Sequence, residues 1–580
     1  MICFEAYMPS RVLSFFQENR AKLVHFEASN RLLKQQCGIN FFFKEQEELE
    51  ALMASIQEST TIVAESERRA YGDFQTSLAL ASQVVQYVKQ KQADIEFVLE
   101  PTCGKGHFLV SVLEQFKQVK KVVGVEIFKP YVWETKFNIL SHFLQNTVEI
   151  LPDIDIFHAN VFDFDFYQLG QETKTLKTLI IGNPPWVTNA ELGTLASGNL
   201  PKKTNFKKHT GLDALTGKGN FDIGESILIR MLDVFHQHQG MLSFLVKNAV
   251  IKNIIQDQIK NRFRIAKAEK LMIDSKKEFN VSVHAALFVA QLNREPEMIC
   301  QASDFYSQKR VTQFGWYKNK FVNSIADYDA SSRVEGKSVF TWRSGIKHDC
   351  SKVMELEKID GRYRNALGEM FRIEDGLVYG LLKSSDLKLT QANQYRKLTI
   401  ITQKKIGQDT NYIESFFPLT YQYLLEHQAF FDRRKSSIYK GKPRFSIFGV
   451  GEYSFAPYKV AISAMYKTTH FTLVLPDGKR PVMLDDTCYF IGFQDVKLAR
   501  VAHFLLNLPI VQQFLKSIIF SDAKRSINKD ILMRIDLRKV FLSVSFAHIS
   551  SSLDGITEKD WKAFGRLLEN DKQQEQMTLF

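Results

Sequence analysis

The sequence predicts an α/β fold: a mostly parallel sheet, followed by a second domain of mixed α and β structure. Three observations support it. At 580 residues the chain exceeds a single ordinary core. Between about residues 75 and 295, short apolar runs alternate with helical patterns, as in β-α-β units. Beyond that stretch the pattern becomes shorter and mixed, and the charge balance changes.

In chain order, residues 1–70 are rich in Glu, Gln, Leu, Phe and Lys and read as a helical extension. Its acidic run KEQEELEALMASIQES reads as a solvated helix face. Strands are expected at 95–99, 121–127, 154–159, 179–182, 241–246, 268–273 and 285–292, with helices at 108–116 and 225–238. Residues 312–337 have poor periodicity and many turn formers, which places a domain boundary there. The expected division is an extension over 1–70, an α/β domain over 71–310, a linker over 311–340 and a second domain over 341–580.

Hydrophobic residues at 45% and charged residues at 24% are those of a soluble globular protein. The formal net charge of +12 is localised, because residues 341–540 hold 32 Lys and Arg against 20 Asp and Glu. Mild basicity is common, but an excess confined to one region also suits a separate polyanion-binding domain. The six cysteines (3, 37, 103, 300, 350, 488) lack ligand spacing, which argues against a zinc site or a disulfide framework. No metal is expected. The N-terminal MICFEAYMPSRVLSFF is unlike a signal peptide, and no apolar stretch is long enough to span a bilayer. A cytoplasmic protein with no membrane partner is expected.

EFVLEPTCGKGHFLVSVL joins a strand to a helix through a glycine turn. Gly104 and Gly106 let the backbone approach a ligand at the carboxyl end of a strand, though tight turns use glycine for structure alone. Glu126 follows on the next strand, spaced to accept hydrogen bonds from ribose hydroxyls. Position 109 is Leu where a dinucleotide motif has its third glycine, and GKGHF lacks the GK[ST] of a P-loop. A carboxylate, Glu100, sits in the loop instead. S-adenosyl-L-methionine suits this set: it has a ribose, no phosphate and a cationic methionine end.

The strand around residues 179–182 ends in Asn183-Pro184-Pro185-Trp186. An exocyclic amine on a base ring is a poor nucleophile because its lone pair is delocalised. The Asn183 side-chain oxygen and the Pro184 carbonyl could grip its two hydrogens and free that lone pair, while the prolines fix direction and add no donor. Trp186 offers a face for an extruded base. A bare NPP is also an ordinary turn, so its place downstream of the glycine loop matters.

Together these residues resemble the gamma-class (N6-adenine) DNA methyltransferases of type II restriction–modification systems, over about residues 68–295 and more loosely beyond. The resemblance implies a class I S-adenosylmethionine-dependent, Rossmann-like catalytic domain and a C-terminal target recognition domain. It also implies methyl transfer to N6 of a flipped adenine in double-stranded DNA, with a separate restriction endonuclease as a possible partner. Tyr71-Gly72-Asp73-Phe74-Gln75-Thr76 matches the first motif, making Phe74 and Thr76 cofactor contacts. Glu100, Thr102, Gly104 and Gly106 match the glycine motif, and Glu126 with Ile127 the ribose-binding acid. Asn160 and Val161 lie where the family reads the cofactor adenine, although Asp is usual at position 160. Lys276-Lys277-Glu278-Phe279-Asn280 resembles the motif whose aromatic packs on the other face of the target base, pairing Phe279 with Trp186.

For DNA contacts, Lys202, Lys203, Lys207 and Lys208 cluster in the insertion after Trp186, beside Lys218 further on. In the basic region Trp342, Arg343 and Lys347, then Arg433, Arg434, Lys440, Lys442 and Arg444, interleave cations with aromatics and glycines. Lys524 and Arg525, in AKRSIN, resemble the close of a recognition domain. Other classes stay open: an RNA adenine-N6 methyltransferase, a protein-glutamine methylator, a methyltransferase subunit of another DNA-based defence system, or a non-catalytic binding module. A fused nuclease would have to use Glu335-Gly336-Lys337 with Asp329, in the linker.

Overall fold

The computed structural model describes residues 8–56, 75–146, 148, 150–187, 222–388, 391–392, 394–465, 468–521 and 525–569. The chain forms two compact units, Met1–Phe321 and Val322–Phe580.

In the first unit every expected strand forms. They are β1 (Phe97–Glu100), β2 (Lys121–Glu126), β3 (Asp153–His158), β4 (Thr178–Gly182), β5 (Gly240–Lys247), β6 (Ile265–Met272) and β7 (Ala285–Leu292). β8 (Ile299–Asp304), β9 (Arg310–Tyr317) and β10 (Lys320–Val322) extend the sheet. The strand order is β10-β9-β8-β6-β7-β5-β4-β1-β2-β3. β3, β2, β1, β4 and β5 run parallel, and β7 is antiparallel between β5 and β6. From β1 the chain steps outward through β2 and β3, then returns to place β4 on β1's other side. The carboxyl ends of β1 and β4 therefore flank a topological switch point, where open α/β sheets bind ligands.

Helices follow from amphipathic runs, three of those below with side-chain caps. The N-terminal extension forms α1 (Ser10–Glu18), α2 (Phe26–Cys37) and α3 (Gln46–Ser55) within the first unit. α4 (Leu78–Lys91) is capped by Ser77, and α5 (His107–Gln115) follows the glycine turn. α6 (Lys129–Gln145) carries Pro130 in its first turn, α7 covers Phe166–Glu172, and α8 (Ile223–Phe235) is capped by the Asp222 carboxylate.

Phe16, Phe42 and Phe43 of the extension pack with Trp133 and Phe137 of α6. Gly38 and Asn40 hydrogen-bond to both sides of Ile154, covering the open edge of β3. Gly38 has φ +75, and a Cβ there would lie 2.2 Å from the Pro152 carbonyl oxygen. The acidic run is less solvated than its composition implies. Glu48 pairs with Lys129 at 3.0 Å, and Leu49 and Leu52 are buried.

The stretch expected as a linker is ordered structure. Lys318 and Asn319, at φ 48 and 60, make the two-residue turn between β9 and β10. Positive φ at both central positions matches the twist of a hairpin. A helix covers Ile325–Ser331, capped by Ser324. Glu335 accepts from Arg534 Nε at 2.7 Å and from the Tyr328 hydroxyl, so it is held in a structural network, unlike a nuclease ligand.

The second unit is mixed α/β. One sheet pairs Arg343–Ser344, Cys488–Phe493, Tyr458–Ser463, Phe471–Val474 and Gln391–Ala392, and a second is built around Glu355–Ile359, Lys397–Ile400 and Val378–Leu382. Helices Val496–Leu506, Pro509–Ile518 and Glu558–Glu569 accompany them. Among the described residues, no helix is long and apolar enough to cross a membrane, and no group of three His, Cys, Asp or Glu could hold a metal.

Candidate active site

A cavity opens at the switch point. It is lined from β1 and its loop by Glu100, Thr102 and Gly104, from β2 by Glu126 and Ile127, and after β3 by Asn160 and Val161. Thr76, Asn183, Pro184 and Pro185 complete the wall. The sheet thus gathers onto one surface residues that lie far apart in the chain.

Each oxygen of the Glu126 carboxylate takes one backbone N–H: Gly104 N at 2.9 Å and Phe128 N at 2.8 Å. These bonds orient the carboxylate at the cavity wall. Glu100 is 2% exposed, and its Oε2 has no hydrogen-bond partner among the described residues. Burial, then the neighbouring Glu126 charge, pushes its carboxyl well above the usual range. The Thr102 hydroxyl is likewise buried without a partner among the described residues. An acceptor-rich, underbonded wall of this kind suits a cationic ligand with hydroxyl groups.

Gly104 has φ +51, and a Cβ there would stand 2.7 Å from Gln75 Oε1, so glycine is required beneath the segment carrying Thr76. His107 Nδ1 holds that segment by donating to the Thr76 carbonyl at 2.7 Å. Gly106 does not line the cavity. It caps α5 at φ +74 and fits tightly against Thr135 of α6. Asn160 Oδ1 accepts from Phe162 N at 2.9 Å, so its amide offers N–H donors where the family's Asp offers oxygens.

At the opposite wall, Asn183 Nδ2 donates to the Thr76 hydroxyl at 3.1 Å. With the nitrogen tethered there, the buried carbonyl oxygen is the amide's acceptor at the cavity wall. Gly224 of α8 packs on this turn; a Cβ there would meet Pro184 Cγ at 3.4 Å. Both ends of the long insertion are anchored at the site. Ile223 N donates to the Val187 carbonyl at 3.1 Å, and Asp222 pairs with Lys247 at 2.7 Å.

Trp186 and Phe279, expected on the two faces of the target base, lie against each other. The two rings touch edge to face, with centroids 4.9 Å apart, too close for a base between them. Trp186 is 5% exposed, and its indole N–H donates to the Leu245 carbonyl at 3.2 Å. Thr178 N bonds to Gln239 O, so the carbonyls of β5 that face β4 are those at 239, 241, 243 and then 245. The fourth partner in β4 would be position 184, a proline with no N–H. Trp186 supplies the missing donor.

In the second unit several expected DNA contacts have partners within the structure. Trp342 is 1% exposed and packs on Phe471, so it belongs to the core. Arg434 donates to the carbonyls of Ser446 and Phe431 and lies over the Tyr439 ring at 3.6 Å. Arg343 lies over the Tyr453 ring, Lys347 pairs with Asp349 and Arg525 with Asp486. Cations interleaved with aromatics look alike in sequence whether the rings stack on bases or fill a core. Arg433, Lys440, Lys442 and Arg444 are exposed. Phe74, Lys202, Lys203, Lys207, Lys208, Lys218 and Lys524 lie outside the described residues. Sequence reasoning did not single out Phe128, Tyr131, Ile223 or Ile227, which also line the cavity. Only the fold brings α6 and α8 over the pocket, so no local signal marks them.

No family model matches the chain. The chain is 38% identical over 476 residues to the type II methyltransferase M.NspV of Nostoc sp., covering 82% of this chain and 97% of that protein. Its fold is similar to that of the type IIL restriction-modification enzyme MmeI, solved in complex with DNA, with TM-score 0.50, 12% identity, and 92% of this chain and 81% of that chain covered. A type I restriction-modification methyltransferase subunit from Streptococcus thermophilus shows TM-score 0.30 and 15% identity, over 48% of this chain and 60% of that one. The β3-β2-β1-β4-β5-β7-β6 core with its antiparallel β7 is that of class I S-adenosylmethionine-dependent methyltransferases. The chain belongs to the type II methyltransferases of restriction–modification systems.

Proposed function

We propose that this protein methylates N6 of an adenine flipped out of duplex DNA, with S-adenosyl-L-methionine as methyl donor. The observation that carries the proposal is the tethered amide of Asn183, whose orientation Thr76 sets beside the cofactor cavity.

The wall fits the donor: Glu100 answers its cationic end, Glu126 its ribose hydroxyls, and Asn160 with Val161 its adenine edge. When bound, S-adenosylmethionine supplies a methyl group activated by the adjacent sulfonium charge. Asn183 Oδ1 and the Pro184 carbonyl accept the two hydrogens of the target amine and draw its lone pair out of conjugation. The prolines add no competing donor, and the pinned turn keeps both acceptors in place before the amine arrives. No strong general base is needed, since the amine's proton leaves after the new N–C bond forms. Trp186 holds this turn from beneath, and a base entering the site would meet Phe279 once the Trp186–Phe279 contact opens.

The test is Asn183→Ala. Tritiated methyl transfer to unmodified plasmid should fall about 10²–10³-fold, as when one preorganised polar group is lost from an active site, with cofactor binding by calorimetry retained. Labelling at the parent's rate would overturn the mechanism. Nucleoside mass spectrometry of the product should show N6-methyladenine, and N4-methylcytosine would instead reassign the base.

A further inference from the structure

Several cations of the second unit are neutralised within it. Lys358, Arg364, Lys383, Arg396, Lys397, Lys497 and Arg534 each face a carboxylate. One surface concentrates cations outside such pairs. Segments 402–410 (TQKKIGQDT) and 432–446 (DRRKSSIYKGKPRFS) hold eight Lys and Arg against two Asp. With Arg434 turned inward, Lys404, Lys405, Arg433, Lys435, Lys440, Lys442 and Arg444 are exposed. None of these seven forms an ion pair among the described residues.

The two segments are laced together. The Thr402 hydroxyl donates to the Phe445 carbonyl at 2.7 Å, the Thr410 hydroxyl to the Arg444 carbonyl, and Ile447 N to Gln403 Oε1 at 2.9 Å. Gln403 is fully buried and also reaches the Gln408 carbonyl, while Lys404 N bonds Gln408 Oε1 at 2.7 Å. The loop is therefore preorganised. At its tip Ile406 is 50% exposed between Lys405 and Gly407, the glycine having φ +79 and open space around it. The loop holds a branched apolar side chain half exposed beside lysines that face no carboxylate among the described residues.

We infer that the Lys404–Gly407 tip enters a groove of the target duplex, with Lys404 and Lys405 on phosphates and Ile406 against base edges. This rests on the DNA reading above and names the surface that serves it. Phosphate contacts would supply affinity, and the apolar tip would discriminate sequence through thymine methyl groups or a deformable base step.

The test uses the full-length protein and a duplex carrying the site that modification mapping of expressing cells reveals, beside a scrambled duplex. Lys404→Ala/Lys405→Ala should lower the slope of log K against log salt by roughly 2, near 0.9 per lost phosphate contact, on both duplexes. Ile406→Ala should weaken cognate binding about tenfold and leave scrambled binding unchanged, within the range for one lost base contact. Lys562→Ala, at a lysine paired with Glu558, controls for charge alone and should leave the slope unchanged. Melting curves matching the parent's will show that the variants fold. A wild-type slope in the double variant, with duplex binding intact, overturns the loop assignment and leaves the methyltransferase reading standing. Failure of the unaltered protein to bind either duplex brings down both.

Discussion

At the scale of single residues, Glu100 is the most unusual group in the cavity. Its carboxyl is raised by burial first and by Glu126 second. An acid whose folded-state value is raised loses stability for the fold as pH climbs past the ordinary carboxylate range, because the unfolded chain ionises first. Glu100→Gln should therefore melt higher than the parent at pH 8, with the gap shrinking at pH 5. A bound cation restores the ionised form, so the parent should bind S-adenosylmethionine more tightly as pH rises, whereas Glu100→Gln should not. Calorimetry at pH 8 should show the variant's affinity lower by about tenfold or more, the size of one charge-assisted contact. A variant as tight as the parent at pH 8 would remove Glu100 from the ligand's first contacts.

At the scale of elements, the turn after β4 is held by a side chain standing in for a backbone donor. Trp186→Phe keeps an aromatic ring but leaves the Leu245 carbonyl without its donor. A buried unpaired carbonyl costs about 1–3 kcal/mol, which urea unfolding of the first unit should register. The turn also aims Asn183 and Pro184, so kcat should drop more than KM rises. Stability and kcat equal to the parent's in the Trp186→Phe variant would reduce the bond to an incidental contact. Element boundaries followed apolar periodicity wherever it was strong, as in β1 to β7. The β9–β10 hairpin was missed because Lys318-Asn319 is an unusual turn pair, and the flanking strands carry many polar residues.

At the scale of the molecule, two units each have their own core. One is centred on the large sheet with the N-terminal aromatics, the other on Val353, Leu356, Ile400 and Ile447. Separate cores favour stepwise unfolding. Scanning calorimetry should resolve two transitions. S-adenosylmethionine at one hundred times its Kd should stabilise only the unit that holds the cavity, by about 2.7 kcal/mol. A single transition that shifts as a whole with the ligand would show instead that the two units unfold together.

The sequence by itself determined the α/β class, the seven core strands and the loop residues of the cavity wall that follow β1, β2, β3 and β4, because each rests on short-range pattern. Strand periodicity, a glycine turn and an NPPW run are each written in a few neighbouring residues. Only the tertiary structure decided which aromatic and basic side chains face outward. Trp186, Trp342 and Arg434 carry the composition of ligand contacts, yet partners 59, 129 and 12 positions away draw them inward. Burial is a property of what packs against a side chain, and no local pattern specifies the far partner.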